Sequence, residues 1–147
     1  MDDSSNPPNS PESAAAELSL AIGQLMRRLR TEANPGELSW SQITTLARLD
    51  KIGWMTTADL ARAEFVKPQS MGTTLADLEQ QGLVQRRPHP TDGRQVLFGL
   101  TPDGIEARRQ RSIAKREWLL AAMAKLDPAE QQTLMSAAAL IKRLAES

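Results

Sequence analysis

The sequence predicts a mostly α-helical chain with one small β-hairpin, and three observations carry that expectation. Apolar residues recur at helical spacing along most of the chain. One short segment, Leu83 to Leu100, alternates in the manner of strands, and serine, threonine, aspartate and proline stand where helices would start. The 147 residues, 40% of them apolar, suffice for about one ordinary domain with a real core. Lysine plus arginine number 18, as do aspartate plus glutamate, so no global field draws the chain to nucleic acid or membrane, and any basic surface has to be local. The absence of cysteine excludes disulfides, thiolate nucleophiles and cysteine-held zinc, and a single histidine excludes histidine-rich metal sites. With no paired histidine and acid, glycine-rich phosphate loop or metal-ligand spacing in view, neither an enzyme nor a cofactor is expected. No basic-then-apolar leader and no apolar run of about 20 residues is present, so a cytoplasmic protein with no membrane partner is expected.

Residues 1–12, rich in proline, serine and asparagine, cannot offset the entropy of ordering and are expected to form a disordered tail. From Ala14, the residues Leu18, Ile22, Leu25 and Leu29 mark one face of a first helix, which Asn34-Pro35-Gly36 ends. Ser39 to Gln42 fits a capping box that opens a second helix with Ile43, Leu46 and Leu49 inside. Thr56 to Asp59 repeats the capping logic for a short third helix holding Leu60 and Ala61, and Phe65 and Val66 close the turn that follows. Pro68 suits the first turn of a fourth helix, whose buried face is Met71, Leu75 and Leu78 and whose stop is Gly82. Leu83–Arg87 and Arg94–Leu100 then form the hairpin around a proline-stiffened tip. Thr101-Pro102 starts a long fifth helix reaching towards Asp127, and Asp127 to Glu130 is a capping box for a sixth, with Leu134, Ala137, Ile141 and Leu144 on one face.

Two helices joined by a tight turn and followed by a hairpin make the winged helix-turn-helix plan. The fold class is therefore mostly α with a small β-hairpin wing, a winged helix-turn-helix core flanked by N- and C-terminal dimerisation helices. The expected divisions are the tail at 1–12, a dimerisation helix at 13–36, a DNA-binding lobe at 37–100 and dimerisation helices at 101–147. The plan suits DNA, since a helix fits the major groove and an arginine-bearing hairpin reaches a neighbouring backbone or minor groove. The first, fifth and sixth helices carry more apolar surface than the lobe needs, and pairing with a second copy buries it. Two-fold symmetry then matches an inverted repeat in double-stranded DNA.

The run Leu75-Ala-Asp-Leu-Glu-Gln-Gln-Gly-Leu-Val-Gln-Arg-Arg87, followed by Asp92-Gly-Arg94 and Leu100-Thr-Pro-Asp-Gly104, resembles the MarR family of bacterial regulators from recognition helix through wing to the start of the long helix. The order of elements from about 14 to 145 is similar as well. The resemblance implies a homodimer with interleaved terminal helices that represses from palindromic operators and is released by a small, often aromatic, anionic effector. Thiol-based peroxide sensing, known in one branch of the family, needs a cysteine that this chain lacks. Where family recognition helices often carry Thr-Arg, this chain has Gly72-Thr73. That departure and the neutral charge motivate an alternative, a protein-interaction module on the same scaffold without sequence-specific DNA binding.

The expected DNA contacts are Gln69, Ser70, Thr73 and Thr74 of the recognition helix, with Lys67 near its positive end. On the wing, Arg94 is expected to meet minor groove or phosphate while Asp92 orients it, and Arg86 and Arg87 point to opposite faces, so that at most one meets phosphate. Thr56 caps the third helix and its hydroxyl can also face phosphate. His89, between two prolines, reads as an exposed loop histidine without partners, and the cluster Arg108, Arg109, Arg111, Lys115 and Arg116 reads as a solvated face. Trp54 and Trp118 read as core. The resemblance places a ligand crevice between the terminal helices and the DNA-reading lobe, for which Trp40, Met26 and Arg30 are the candidate lining.

Overall fold

The computed structural model describes residues 7–147, so half of the expected tail, residues 1–6, lies outside the described residues. Six helices and three strands follow: α1 Pro11–Glu32, α2 Trp40–Ile52, β1 Met55–Thr56, α3 Thr57–Ala63, α4 Pro68–Gln80, β2 Val84–Pro88, β3 Val96–Leu100, α5 Pro102–Met123 and α6 Pro128–Ala145. Helix α1 opens ahead of Ala14 because Ser10 caps it, its Oγ accepting from the Ser13 N–H at 3.1 Å with proline in the first turn. A polar first turn has no apolar period to betray it. The capping boxes of α2 and α6 are both formed: Ser39 Oγ accepts from Gln42 N–H at 3.2 Å, and Asp127 Oδ1 accepts from Glu130 N–H at 2.8 Å. Helix α5 stops at Met123, short of the expected Asp127.

The chain forms two compact units, one spanning Asn34–Ile113 and the other made of the segment ending at Ala33 together with Ala114–Ser147. In the first, β1 pairs antiparallel with β3 through Met55 opposite Phe98, and β3 pairs with β2, giving the order β1-β3-β2. The expected hairpin is thus a three-stranded sheet, and the two-residue β1 was too short to show alternation in sequence. The return strand begins at Val96 rather than Arg94. Leu46 and Leu49 of α2, Leu60 and Ala61 of α3, Met71, Leu75 and Leu78 of α4, Val84 of β2 and Phe98 of β3 form one buried cluster. Buried Thr45 stays hydrogen-bonded, its hydroxyl donating to Ser41 O at 2.7 Å. The path from α4 into the sheet is tight. A Cβ on Gly104 would lie 2.1 Å from Leu83 O, whereas one on Gly72 in α4 would meet nothing within 4 Å.

In the second unit neither α1 nor α6 has a buried residue. Leu18, Ile22 and Leu25 of α1 and Leu134, Ile141 and Leu144 of α6 are between 40% and 60% exposed. The Arg28 guanidinium lies 5.9 Å from the ring centre of Trp118, and the Gln131 amide donates to Met123 O at 3.0 Å and Leu126 O at 3.1 Å, closing the turn between α5 and α6.

Two glycine substitutions test this packing with opposite signs. Gly104→Ala is expected to lose about 1–3 kcal/mol through overpacking against the Leu83 carbonyl, and Gly72→Ala to gain about 1 kcal/mol of helix propensity. Thermal unfolding followed by circular dichroism measures both, and a Gly104→Ala protein as stable as the parent would contradict the close approach.

Candidate nucleic-acid interface

Helix α4 has two sides of different character. Its apolar side is locked into the core, while Gln69, Ser70 and Thr73 are exposed and Thr74 is partly so. The Thr73 hydroxyl donates to Gln69 O and that of Thr74 to Ser70 O, both at 3.2 Å, so each oxygen offers its lone pairs outward. Lys67 occupies the N-cap and is exposed; it makes no side-chain cap bond, and Pro68 fills the first helical position. The first-turn N–H groups give this end its positive character.

The wing sets out its arginines against acids and rings. Arg86 makes a two-pronged hydrogen bond to Glu79 of α4, at 2.8 and 2.9 Å, and its guanidinium also lies 5.3 Å from the Phe98 ring centre. The hydrogen bond and the charge of Arg86 together hold the Glu79 carboxyl below its ordinary pKa. Its neighbour Arg87 turns the other way and stacks over Trp54 at 4.0 Å. Strand alternation therefore separates the two, as the sequence implied. Trp54 is half-buried rather than core, and it lies flat on β3 because Gly99 has no side chain: a Cβ there would fall 2.6 Å from the indole. At the tip, Asp92 Oδ1 accepts from Arg94 N–H at 3.1 Å and lies 3.5 Å from Arg94 Nε. His89 does have partners: its Nδ1 accepts from the N–H groups of Thr91 at 3.2 Å and Asp92 at 3.1 Å, so the ring organises the turn that holds Asp92. The Glu79–Arg86 and Trp54–Arg87 pairs escaped the sequence because both join residues of different elements.

The remaining residues singled out in the sequence fall as follows. Thr56 caps α3, accepting from Asp59 N–H at 3.1 Å. Trp40, half exposed, lines a groove of about 130 Å³ with Val66, Ser70, Met71 and Thr74 beside α4, while Met26 and Arg30 stand on α1 in the other unit. Of the basic cluster on α5, Arg109, Lys115 and Arg116 are exposed, as a solvated face implies, whereas Arg108 is half-buried and Arg111 buried. Arg108 lies 3.3 Å from Asp50, and Arg109 and Gln110 hydrogen-bond Glu106, holding that carboxyl at about 2.

A short helix, a turn of a few residues, a second helix with a polar outer face and an arginine-bearing wing define the winged helix-turn-helix class of DNA-binding regulators. The model of the MarR family matches residues 38–96. The HTH-type transcriptional regulator Mb0904 of Mycobacterium bovis is 40% identical over 132 residues, which are 90% of this chain and 92% of that protein. The chain belongs to the MarR family of transcriptional regulators, and is a regulator rather than an enzyme. The HTH-type transcriptional repressor Rv2887 of Mycobacterium tuberculosis is 31% identical over 96 residues, 65% of each chain. A transcriptional regulator protein of Pseudomonas aeruginosa PA01, 32% identical, superposes with a TM-score of 0.81 over 96% of this chain and 99% of that one.

The Glu79–Arg86 pair occupies one wing cation. A depressed carboxyl pKa means the pair is intact at neutral pH and is lost only as pH falls through that lowered value, so it is constant between about pH 6 and 8. Glu79→Gln releases Arg86 and is expected to steepen the salt dependence of DNA binding by up to about one phosphate contact, measured as the slope of log affinity against log salt. An unchanged slope would show that Arg86 stays on the Phe98 ring.

Proposed function

We propose that the chain is a homodimeric, cytoplasmic repressor that reads an inverted repeat in double-stranded DNA and is released by a small aromatic or anionic effector. The observation that carries the reading is the fixed polar face of α4, with Gln69, Ser70 and Thr73 exposed on a helix whose opposite side is core. In this reading α4 enters the major groove, and the outward lone pairs of Thr73 and Thr74 suit the amino groups of adenine or cytosine. Lys67 and the Thr56 hydroxyl meet phosphates, and of the two strand arginines Arg86 alone joins them, when it leaves Glu79. Arg94, braced by Asp92, reaches the minor groove or backbone from the wing tip.

Dimer formation is supported by the exposed leucines and isoleucines of α1 and α6, which a second copy would cover. Repression is supported by the relative Rv2887, a repressor by name. Effector binding is assigned to the groove beside α4 that Trp40, an exposed aromatic, lines with Val66 and Met71. Among the described residues no helix is long and apolar enough to cross a membrane.

Selection of bound sequences from random duplex DNA at about 150 mM salt, where non-specific attraction is suppressed, is expected to return an inverted repeat with half-sites about one helical turn apart. The free protein is expected to sediment as a dimer of the 16.1 kDa chain. A folded protein that enriches no sequence would favour the interaction module instead. Arg94→Ala is expected to weaken binding to all duplexes alike and reduce the salt slope by about one; unchanged affinity and slope would remove Arg94 from the contacts.

A further inference from the structure

Two helix ends in the lobe are built on the same pattern. At the end of α4, Gly82 takes φ 76°, its N–H donates to Glu79 O at 3.0 Å, and the Leu83 N–H reaches back to Leu78 O at 2.9 Å. At the end of α3, Phe65 takes φ 55°, its N–H donates to Arg62 O at 3.3 Å, and the Val66 N–H reaches Ala61 O at 3.0 Å. Both are Schellman closures, whose left-handed residue is by preference glycine. Gly82 meets that preference, while phenylalanine in the same conformation is strained by its Cβ. No burial of the ring offsets the strain, because the Phe65 side chain packs on almost nothing in the lobe. At 96% exposed it is the most exposed large apolar residue among the described residues.

Phe65 stands two residues before Lys67, the N-cap of α4, and three before Pro68, its first residue. Three residues of chain reach at most about 11 Å, so the ring is tethered beside the first turn that presents Gln69 and Ser70. A recognition helix that enters the major groove by its N-terminal turn carries this segment to the edge of the groove. The surfaces available there to an aromatic ring are deoxyribose and thymine methyl groups. The geometry points to Phe65 as an apolar DNA contact, continuous with the α4 face and adjoining the Lys67 charge, its left-handed backbone aiming the ring out of the protein. This inference rests on the DNA-reading function of α4 proposed above.

Replacing the residue separates fold from contact, because the two roles predict opposite signs. Phe65→Gly relieves the strain and removes the ring, whereas Phe65→Tyr keeps both. On the duplex recovered by selection, anisotropy of labelled DNA is expected to show Phe65→Gly binding about tenfold more weakly, with an unchanged salt slope because no charge is lost. Its melting temperature is expected to rise by a few degrees. Phe65→Tyr is expected to bind within about twofold of the parent. The inference is overturned if Phe65→Gly binds as tightly as the parent, if its loss of affinity comes with a lower melting temperature, or if the free variant changes its sedimentation, which would assign the ring to a protein contact. A parent protein that binds no duplex overturns the DNA reading as well, and the melting comparison then shows whether the strain argument survives it.

Discussion

Met71, Leu75 and Leu78 follow one another at intervals of four and three, share one side of α4, and are buried together with Leu46, Leu49, Leu60 and Phe98. Each such side chain contributes about 1.5–3 kcal/mol when fully buried, and turning the helix by one residue, about 100°, would pull all three away from the core. That one constraint fixes the outward side. Gln69, Ser70 and Thr73 need no support of their own to face outward, since the core holds the helix that carries them. A recognition surface seated in this way is pre-organised, so little ordering remains to be done on binding.

Charge is handled in the opposite way, by local pairing. The chain has no net charge, so attraction to a polyanion has to come from where its cations stand. On the wing each arginine is held against a ring or an acid: Arg86 by Glu79, Arg87 by Trp54, Arg94 by Asp92. Exposed ion pairs of this kind add little stability because water and salt screen them. Their worth lies in position. The stack of Arg87 on Trp54, made possible by the bare backbone of Gly99, fixes a guanidinium that alternation alone would leave to solvent.

The helices were legible in the sequence because their signals are local. Caps at Ser39, Thr56 and Asp127, the proline starts of α4, α5 and α6, and the 3.6-residue apolar period each lie within a few residues of one another. The family resemblance was legible for a similar reason, through the recognition-helix and wing motifs. What escaped was either very short or long in range. The two-residue strand β1 has no period, the Glu79–Arg86 and Trp54–Arg87 contacts depend on how the sheet meets α4 and α2, and the His89 hydrogen bonds arise from a wing-tip turn that composition does not encode. Phe65 is legible in sequence only as a turn residue, and it takes backbone angles to show that it occupies a position suited to glycine.

Titration of the selected duplex into isotope-labelled protein, followed by amide chemical shifts, reads out which face of the protein meets DNA. The amides of Lys67 and of Gln69 to Thr74, with those of the non-proline wing residues from Arg86 to Arg94, are expected to shift together at the lowest DNA additions, while those of the buried side of α2 stay in place. Shifts centred on α1 and α6, with α4 and the wing unmoved, would contradict the DNA-reading role of α4.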